Sequence, residues 1–192
     1  MRYLVVLVLV IFGGNLTAQH HETKSLSKRK DLTNKEKVIS ISGHPISFYL
    51  NHPKIDSSSK KFYRGELSVS ADSILEGIID SVLTNNSATR PFYFFIFNQI
   101  VNLSEGRMVD MVGHKELQFI EKYPCEFFKA FNQDDIDVNV VKWTTFMGKT
   151  LENKTNYYEY RNKIDSKLKG SCSDLQDVFK SFFTEVRMCL VR

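Results

Sequence analysis

The histidines are the first residues to consider as chemical groups, because an imidazole can bind a metal ion or transfer a proton near neutral pH. The five are His20, His21, His44, His52 and His114. His114 precedes a lysine rather than a glutamate, and no histidine follows four positions later, which excludes the H-E-x-x-H pattern of zinc proteases. His44 and His52 each precede a proline. We expect these two to be separate loop histidines, and a small site in which they face one another is the alternative.

A calcium site is the next chemistry that the spacing suggests. Asp135, Asp137 and Asn139 match the opening D-x-D-x-N of a calcium-binding loop. The sixth position is Val140 where such a loop has glycine, and the twelfth is Phe146 where it has glutamate. We interpret the acids instead as residues at the start of a helix, where the helix dipole favours negative charge. The sequence also has no phosphate-binding loop, dinucleotide-binding glycine motif or nucleophile elbow, so we expect no cofactor and no bound metal.

The cysteines can form one disulfide. There are three of them, Cys125, Cys172 and Cys189, so at least one thiol is left over. A single helix over 173–190 would separate Cys172 from Cys189 by about 25 Å, whereas a disulfide needs Cα atoms within about 7 Å. The sequence therefore predicts a bridge from Cys125 to Cys189 or to Cys172, with Cys125–Cys189 taken as the candidate pair. Three buried thiols are the alternative.

The best candidate for a binding surface is the cluster of Tyr157, Tyr158, Tyr160 and Arg161. Tyrosine and arginine are enriched at the hot spots of protein interfaces, because each combines a large apolar area with a polar end. One of Tyr157 and Tyr158 should point outward on any helix. The cluster predicts contact with a protein partner, and the alternative is that all three tyrosines pack with only their hydroxyls at the surface.

The N-terminus has the pattern of an export signal. Arg2 gives it a positive start, residues 4–12 are an unbroken apolar run, and Ala18 offers a small residue for cleavage before Gln19. The apolar run is too short to cross a hydrocarbon layer of about 30 Å. We therefore predict a signal peptide over 1–18, a secreted or periplasmic location, and no integral membrane segment once the signal is removed.

The basic residues do not form the patch or stripe that is typical of nucleic-acid-binding proteins. The net charge is +4, and the densest basic stretch, residues 24–37, contains few large apolar side chains. Such a stretch is usually solvated. We predict a disordered polar tail over 19–37, a single helical domain over 38–192, and no nucleic-acid partner.

Composition and periodicity predict that the remaining residues form helices. The chain is 42% hydrophobic with 9 glycines and 4 prolines, which disfavours a turn-rich all-β fold. After residue 66, apolar positions repeat with helical spacing in six or seven segments. The segment that begins at Phe92 is apolar nearly all round, which indicates a buried central helix. We expect an all-α fold, an irregular bundle or stack of six to seven antiparallel helices, with one short strand near 38–42.

Local signals set the predicted ends of these helices. Thr89 and Pro91 mark the start of the central helix, and Pro124 opens a later one. Gly113 is predicted to end one short helix and separate it from the next. The serine and lysine run at 57–61 is predicted to be a loop.

A non-enzymatic, exported protein-binding protein is the function that these observations favour, such as an inhibitor, an immunity-type protein or an accessory subunit. The alternatives are a secreted hydrolase whose site forms only in the fold, and a carrier of a small ligand. A deep cleft with converging histidines or carboxylates would favour the hydrolase, and a closed apolar cavity would favour the carrier. A shallow exposed tyrosine–arginine surface would favour the binding protein. The sequence leaves the partner and the oligomeric state open.

Overall fold

The structure is a computed structural model that describes residues 40–70, 73–132, 138–154 and 157–190, with only the backbone described for 152–154. These residues form an all-α fold, as predicted. The nine α-helices found among them are α1 (Ile46–Asn51), α2 (Ser57–Tyr63), α3 (Ser73–Asp80), α4 (Arg90–Leu103), α5 (Met108–Lys122), α6 (Pro124–Phe131), α7 (Val140–Lys154), α8 (Tyr157–Ser171) and α9 (Gln176–Leu190). Short 3-10 turns at Ser81–Leu83 and Ser173–Leu175 adjoin α3 and α9.

A small antiparallel hairpin precedes the helices. Its strands are β1 (Ser40–Ile41) and β2 (His44–Pro45). Gly43 in the connecting turn has a φ of 77°, a conformation that a two-residue hairpin turn requires and that glycine adopts without strain. The buried Tyr49 hydroxyl on α1 donates to the Ile41 carbonyl oxygen at 3.0 Å, which fixes α1 against the hairpin. Of the strand predicted near 38–42, Ser40–Ile41 is found as β1, and residues 38–39 lie outside the described part.

The buried central helix is α4. Residues 92–97 are all buried, as their unbroken apolar sequence predicts. Trp143 of α7 packs against them and against Phe127 of α6, with ring centroids 4.9 Å apart in the second case. Its indole N–H donates to Asn98 Oδ1 at 2.8 Å, so these two buried polar groups satisfy one another. The core is thus built from rings that α4, α6 and α7 contribute.

The prediction of a loop at 57–61 is wrong, because these residues belong to α2. The Asp56 carboxylate accepts hydrogen bonds from the backbone N–H and the hydroxyl of Ser59, each at 2.7 Å. This capping satisfies an N–H group that has no partner within the helix. Phe62 is buried near the other end of α2. A cap and one apolar anchor stabilise a short helix that the serine and lysine composition does not predict.

The prediction that Gly113 divides two helices is also wrong, because α5 is continuous through it. A Cβ at Gly113 would lie 2.1 Å from Thr150 Oγ1 and 3.0 Å from the Phe146 carbonyl oxygen, both on α7. The glycine therefore lets α5 and α7 approach closely. Inside a helix it costs about 1 kcal/mol relative to alanine, and the close packing offsets that cost.

The disulfide joins Cys125 of α6 to Cys172, which directly follows α8. The candidate pair Cys125–Cys189 is therefore wrong, and the other predicted pairing is the one present. Cys189 is a free, half-buried thiol on α9 beside Thr145, whose hydroxyl lies 3.8 Å from its sulfur. The Cys172–Cys189 pair was excluded because a long helix separates them, and α9 with its preceding 3-10 turn occupies that interval. The choice between the two remaining pairs depended on how α6 packs, which the sequence does not show.

The described residues all belong to one packed unit. Within them, no helix has both the length and the apolar character needed to cross a membrane. The predicted signal peptide, 1–18, and tail, 19–37, lie outside the described residues and stay predictions.

Candidate functional site

Two of the four residues predicted to form a binding surface belong to the core. Tyr157 and Tyr160 lie on the buried face of α8. The Tyr157 hydroxyl donates to the Phe183 carbonyl oxygen at 2.7 Å, and the Tyr160 hydroxyl donates to the Leu117 carbonyl oxygen at 2.6 Å. Burial raises the pKa of both phenols. These tyrosines tie α8 to α9 and to α5, so neither side chain is available to a partner in this packing.

Tyr158 and Arg161 are the members of the predicted cluster that reach the surface. Tyr158 is 57% exposed, and its ring stands edge-on to the buried Tyr157 ring with centroids 5.1 Å apart. Arg161 is half-buried, and its guanidinium carbon lies 5.4 Å from the ring centroid of Phe179 on α9. The expectation that one of Tyr157 and Tyr158 points outward is therefore met by Tyr158.

Arg187 on α9 completes this surface, and the sequence analysis missed it. Arg187 is exposed and lies one helical turn after Phe183, whose carbonyl oxygen accepts the Tyr157 hydroxyl. Burial raises the pKa of Tyr157, and the positive charges of Arg161 and Arg187 oppose that rise. Helical spacing from Phe183 was visible in the sequence, but the pairing of α8 with α9 was not. We name Tyr158, Arg161 and Arg187 the tyrosine–arginine surface.

A second exposed aromatic side chain lies between two of the histidines. The Phe48 ring stacks on His44 with centroids 4.6 Å apart and meets His52 at 5.7 Å. Phe48 is 38% exposed and borders a surface depression of about 410 Å³. The depression is lined by Pro45, Ser47, Phe48, Asn51, His52 and Pro53. The two histidines therefore flank a phenylalanine that the sequence analysis did not single out.

Glu116 is a third group that the sequence analysis did not identify. Its side chain is fully buried on α5, and within the described part of the chain neither carboxyl oxygen has a hydrogen-bond partner. Burial raises the pKa of Glu116 well above its ordinary value, because the charged form loses its hydration. The available signal was its spacing of four residues from Val112 and from Ile120, both on the buried face of the helix.

Arg90, Tyr123 and Glu126 form a polar cluster with a structural role. Arg90 donates from Nε and Nη2 to the Glu126 carboxylate and from Nη1 to the Thr84 carbonyl oxygen. Its guanidinium carbon lies 3.9 Å from the ring centroid of Tyr123, whose hydroxyl donates to the same Thr84 carbonyl at 2.8 Å. These contacts use two guanidinium nitrogens to hold α6 and the third to hold the loop before α4, which leaves little of Arg90 for a ligand.

Most of the other predicted chemical groups lie outside the described residues. His114 is half-buried in the middle of α5, whereas His20 and His21 lie outside the described residues. The acids of the rejected calcium loop, Asp135 and Asp137, lie outside them as well. Among the side chains that the structure describes, no group of three or more histidine, cysteine, aspartate or glutamate residues could hold a metal ion.

Comparisons with known proteins do not assign a function. No family profile, curated protein or solved structure matches this chain.

Proposed function

We propose that the chain is an exported, non-enzymatic protein-binding protein and that its partner contacts the tyrosine–arginine surface. The observation that carries this proposal is the exposure of Tyr158, 57%, beside two tyrosines whose hydroxyls are bonded inside the core. An exposed tyrosine supported in this way is the kind of anchor that protein interfaces use.

Rigidity is the physical reason why this surface suits binding. Ordering a flexible side chain at an interface costs about 0.5–1.5 kcal/mol. Tyr158 packs edge-on against Tyr157, and Arg161 lies above the Phe179 ring, so part of that ordering is already present in the free chain. Tyrosine also has only two rotatable side-chain bonds, which keeps the remaining entropy cost low.

Export is part of the proposal and rests on the N-terminal pattern of residues 1–18. A disulfide between Cys125 and Cys172 is compatible with an oxidising compartment outside the cytosol. Edman sequencing or mass spectrometry of the protein recovered outside the cell should place its N-terminus at or near Gln19. Recovery of the same product with Met1 in place would refute the signal peptide.

The proposed binding role is tested by capturing a partner with the tagged, processed chain from its own organism and titrating it. Tyr158→Ala should weaken the complex by about 2 kcal/mol, or about 30-fold in Kd, if the residue is a hot spot. Phe48→Ala is the matched control, because it removes another exposed aromatic ring far along the chain, and it should leave Kd unchanged within about threefold.

Two outcomes would contradict this proposal. One is that Tyr158→Ala leaves Kd for the partner unchanged while Phe48→Ala weakens the complex. This result would place the interface at the depression beside α1. The other is a hydrolytic activity of the processed chain that is lost in a folded His44→Ala or His114→Ala variant, which would favour the hydrolase.

A further inference from the structure

The arginines of the tyrosine–arginine surface differ in their ion pairing from three lysines on the same helices. Among the described residues, Lys163 pairs with Glu121 at 2.6 Å, Lys169 with Asp165 at 2.7 Å and Lys180 with Asp177 at 2.9 Å. Neither Arg161 nor Arg187 forms an ion pair within the described part of the chain. Three lysines on α8 and α9 therefore pair with acids, whereas neither arginine has a carboxylate of the described residues within ion-pair distance. Asp165, whose pKa the Lys169 hydrogen bond lowers, also feels the charge of Arg161 at longer range.

The chemistry of a guanidinium group defines what it would bind. Arginine presents a planar fork of N–H donors that matches the two oxygens of a carboxylate. Arg161 is positioned for this role, because the Phe179 ring supports one side of its guanidinium. Tyr158 adds an exposed ring and a hydroxyl beside it, which suits an apolar side chain next to the acids.

We infer that the partner presents an acidic protein segment, whose carboxylates bind Arg161 and Arg187 while an apolar side chain beside them packs on Tyr158. This inference rests on the proposed binding function and adds the chemistry of the partner. Charge complementarity supports an acidic partner, because Arg161 and Arg187 form no ion pair within the described part of the chain and Tyr158 is an exposed aromatic side chain on the same helix as Arg161.

A nucleic acid could also supply anionic oxygens, but the surface fits it less well. Binding to a phosphate backbone uses a continuous basic stripe or groove. Here Lys163, Lys169 and Lys180 of α8 and α9 pair with acids of the same chain, and Lys167 donates to the Glu121 carbonyl oxygen. A protein segment with a few carboxylates needs only the two arginines.

The test uses two octapeptides and the processed chain as recovered from its producing cells. The acidic probe is Glu-Glu-Leu-Glu-Glu-Leu-Glu-Glu, and the matched neutral probe has glutamine in place of every glutamate. In an NMR titration, the acidic probe should shift the side-chain N–H signals of Arg161 and Arg187 and the amide of Tyr158, whereas the neutral probe should bind at least about tenfold more weakly.

Two double variants with the same change in net charge separate specific from diffuse attraction. Arg161→Gln with Arg187→Gln should weaken binding of the acidic probe about tenfold or more, whereas Lys163→Gln with Lys180→Gln should change it less than about threefold. Equal losses in both double variants, absence of shifts at the surface, or tighter binding of an oligothymidine there would overturn the inference.

The captured partner distinguishes failure of this inference from failure of the proposed function. If Tyr158→Ala weakens the partner complex and the arginine double variant leaves it unchanged, the surface is an interface but its partner is not acidic there. If neither Tyr158→Ala nor the arginine double variant changes the affinity for the partner, both this inference and the proposed function fail.

Discussion

Glu116 shows how a single residue can make the stability of this protein depend on pH. Its carboxyl is fully buried and has no hydrogen-bond partner among the described residues. Burial raises the pKa of the Tyr160 phenol, and the charges of Glu121 and Glu116 raise it further. The unfolded chain releases the Glu116 proton above about pH 4, whereas the folded chain keeps it to higher pH. Raising the pH therefore favours unfolding until the pH passes the raised pKa of the folded state.

We expect Glu116→Gln to remove this loss of stability. Relative to the variant, the wild-type chain should lose free energy of unfolding between about pH 4 and the folded-state pKa, with about 1.4 kcal/mol lost for each tenfold difference in proton affinity. Urea denaturation between pH 4 and pH 8 measures the difference. Glu159→Gln, at an exposed position of α8, is the control and should change stability by less than about 0.5 kcal/mol at either pH. A wild type and a Glu116→Gln variant with parallel pH profiles would show that the carboxyl is solvated.

At the same scale, residue type alone did not separate the two buried tyrosines of the predicted cluster from the exposed one. Tyr160 lies four residues before Ile164 and eight before Leu168, and Tyr157 stands three residues before Tyr160, so all four share one face of α8. Spacing alone could therefore have assigned both tyrosines to the core and Tyr158 to the surface. Arg187 could not have been added in this way, because its place beside Tyr157 depends on the contact between α8 and α9.

At the scale of elements, Gly113 and Gly77 give a matched pair of helix glycines. Gly113 lies inside α5 and Gly77 inside α3. A Cβ at Gly113 would overlap Thr150 Oγ1, whereas a Cβ at Gly77 would have open space around it. Helix propensity alone predicts that either glycine-to-alanine change stabilises the protein by up to about 1 kcal/mol. Packing reverses the sign at Gly113.

Gly113→Ala should therefore destabilise the protein by about 1–3 kcal/mol, and Gly77→Ala should leave it unchanged or stabilise it by up to about 1 kcal/mol. Thermal and urea unfolding of the two variants measure this. Stabilisation by Gly113→Ala would mean that α5 and α7 are farther apart than described. In that case Gly113 would have no packing role.

Helix boundaries were predicted correctly where one local sequence signal sets them, and wrongly where contacts with other helices set them. The proline-marked starts of α4 and α6 were predicted, because Pro91 and Pro124 fit only the first turn of a helix. The continuity of α5 was not, since the reason for Gly113 lies on α7. Helix α2 was missed because its cap and its buried Phe62 matter only once the segment packs on the core.

At the scale of the whole molecule, the disulfide links parts of the chain that are 47 residues apart. Closing a loop of this length in the unfolded chain should stabilise the fold by about 4 kcal/mol in the chain-entropy model. The double variant Cys125→Ser with Cys172→Ser should therefore lower the free energy of unfolding by about 4 kcal/mol. Cys189→Ser is the control, and its effect should stay below about 1 kcal/mol because that thiol is not bridged.

Peptide mapping without reduction should find a disulfide between Cys125 and Cys172. Cys189 should be recovered as a separate, alkylated thiol. A Cys125–Cys189 peptide would contradict the packing of α6 beside the end of α8. The all-α class followed from periodicity alone, but this connectivity and the composition of the tyrosine–arginine surface required the tertiary arrangement.

Hydroxyl-radical footprinting of the chain, alone and with its captured partner, tests the central claim most directly. In the free chain Tyr158 and Phe48 should be oxidised readily, while the buried Tyr157 and Tyr160 should react slowly. In the complex Tyr158 should become protected and Phe48 should stay reactive. Equal oxidation of Tyr158 with and without the partner, or protection confined to Phe48, would contradict the assignment of the interface to the tyrosine–arginine surface.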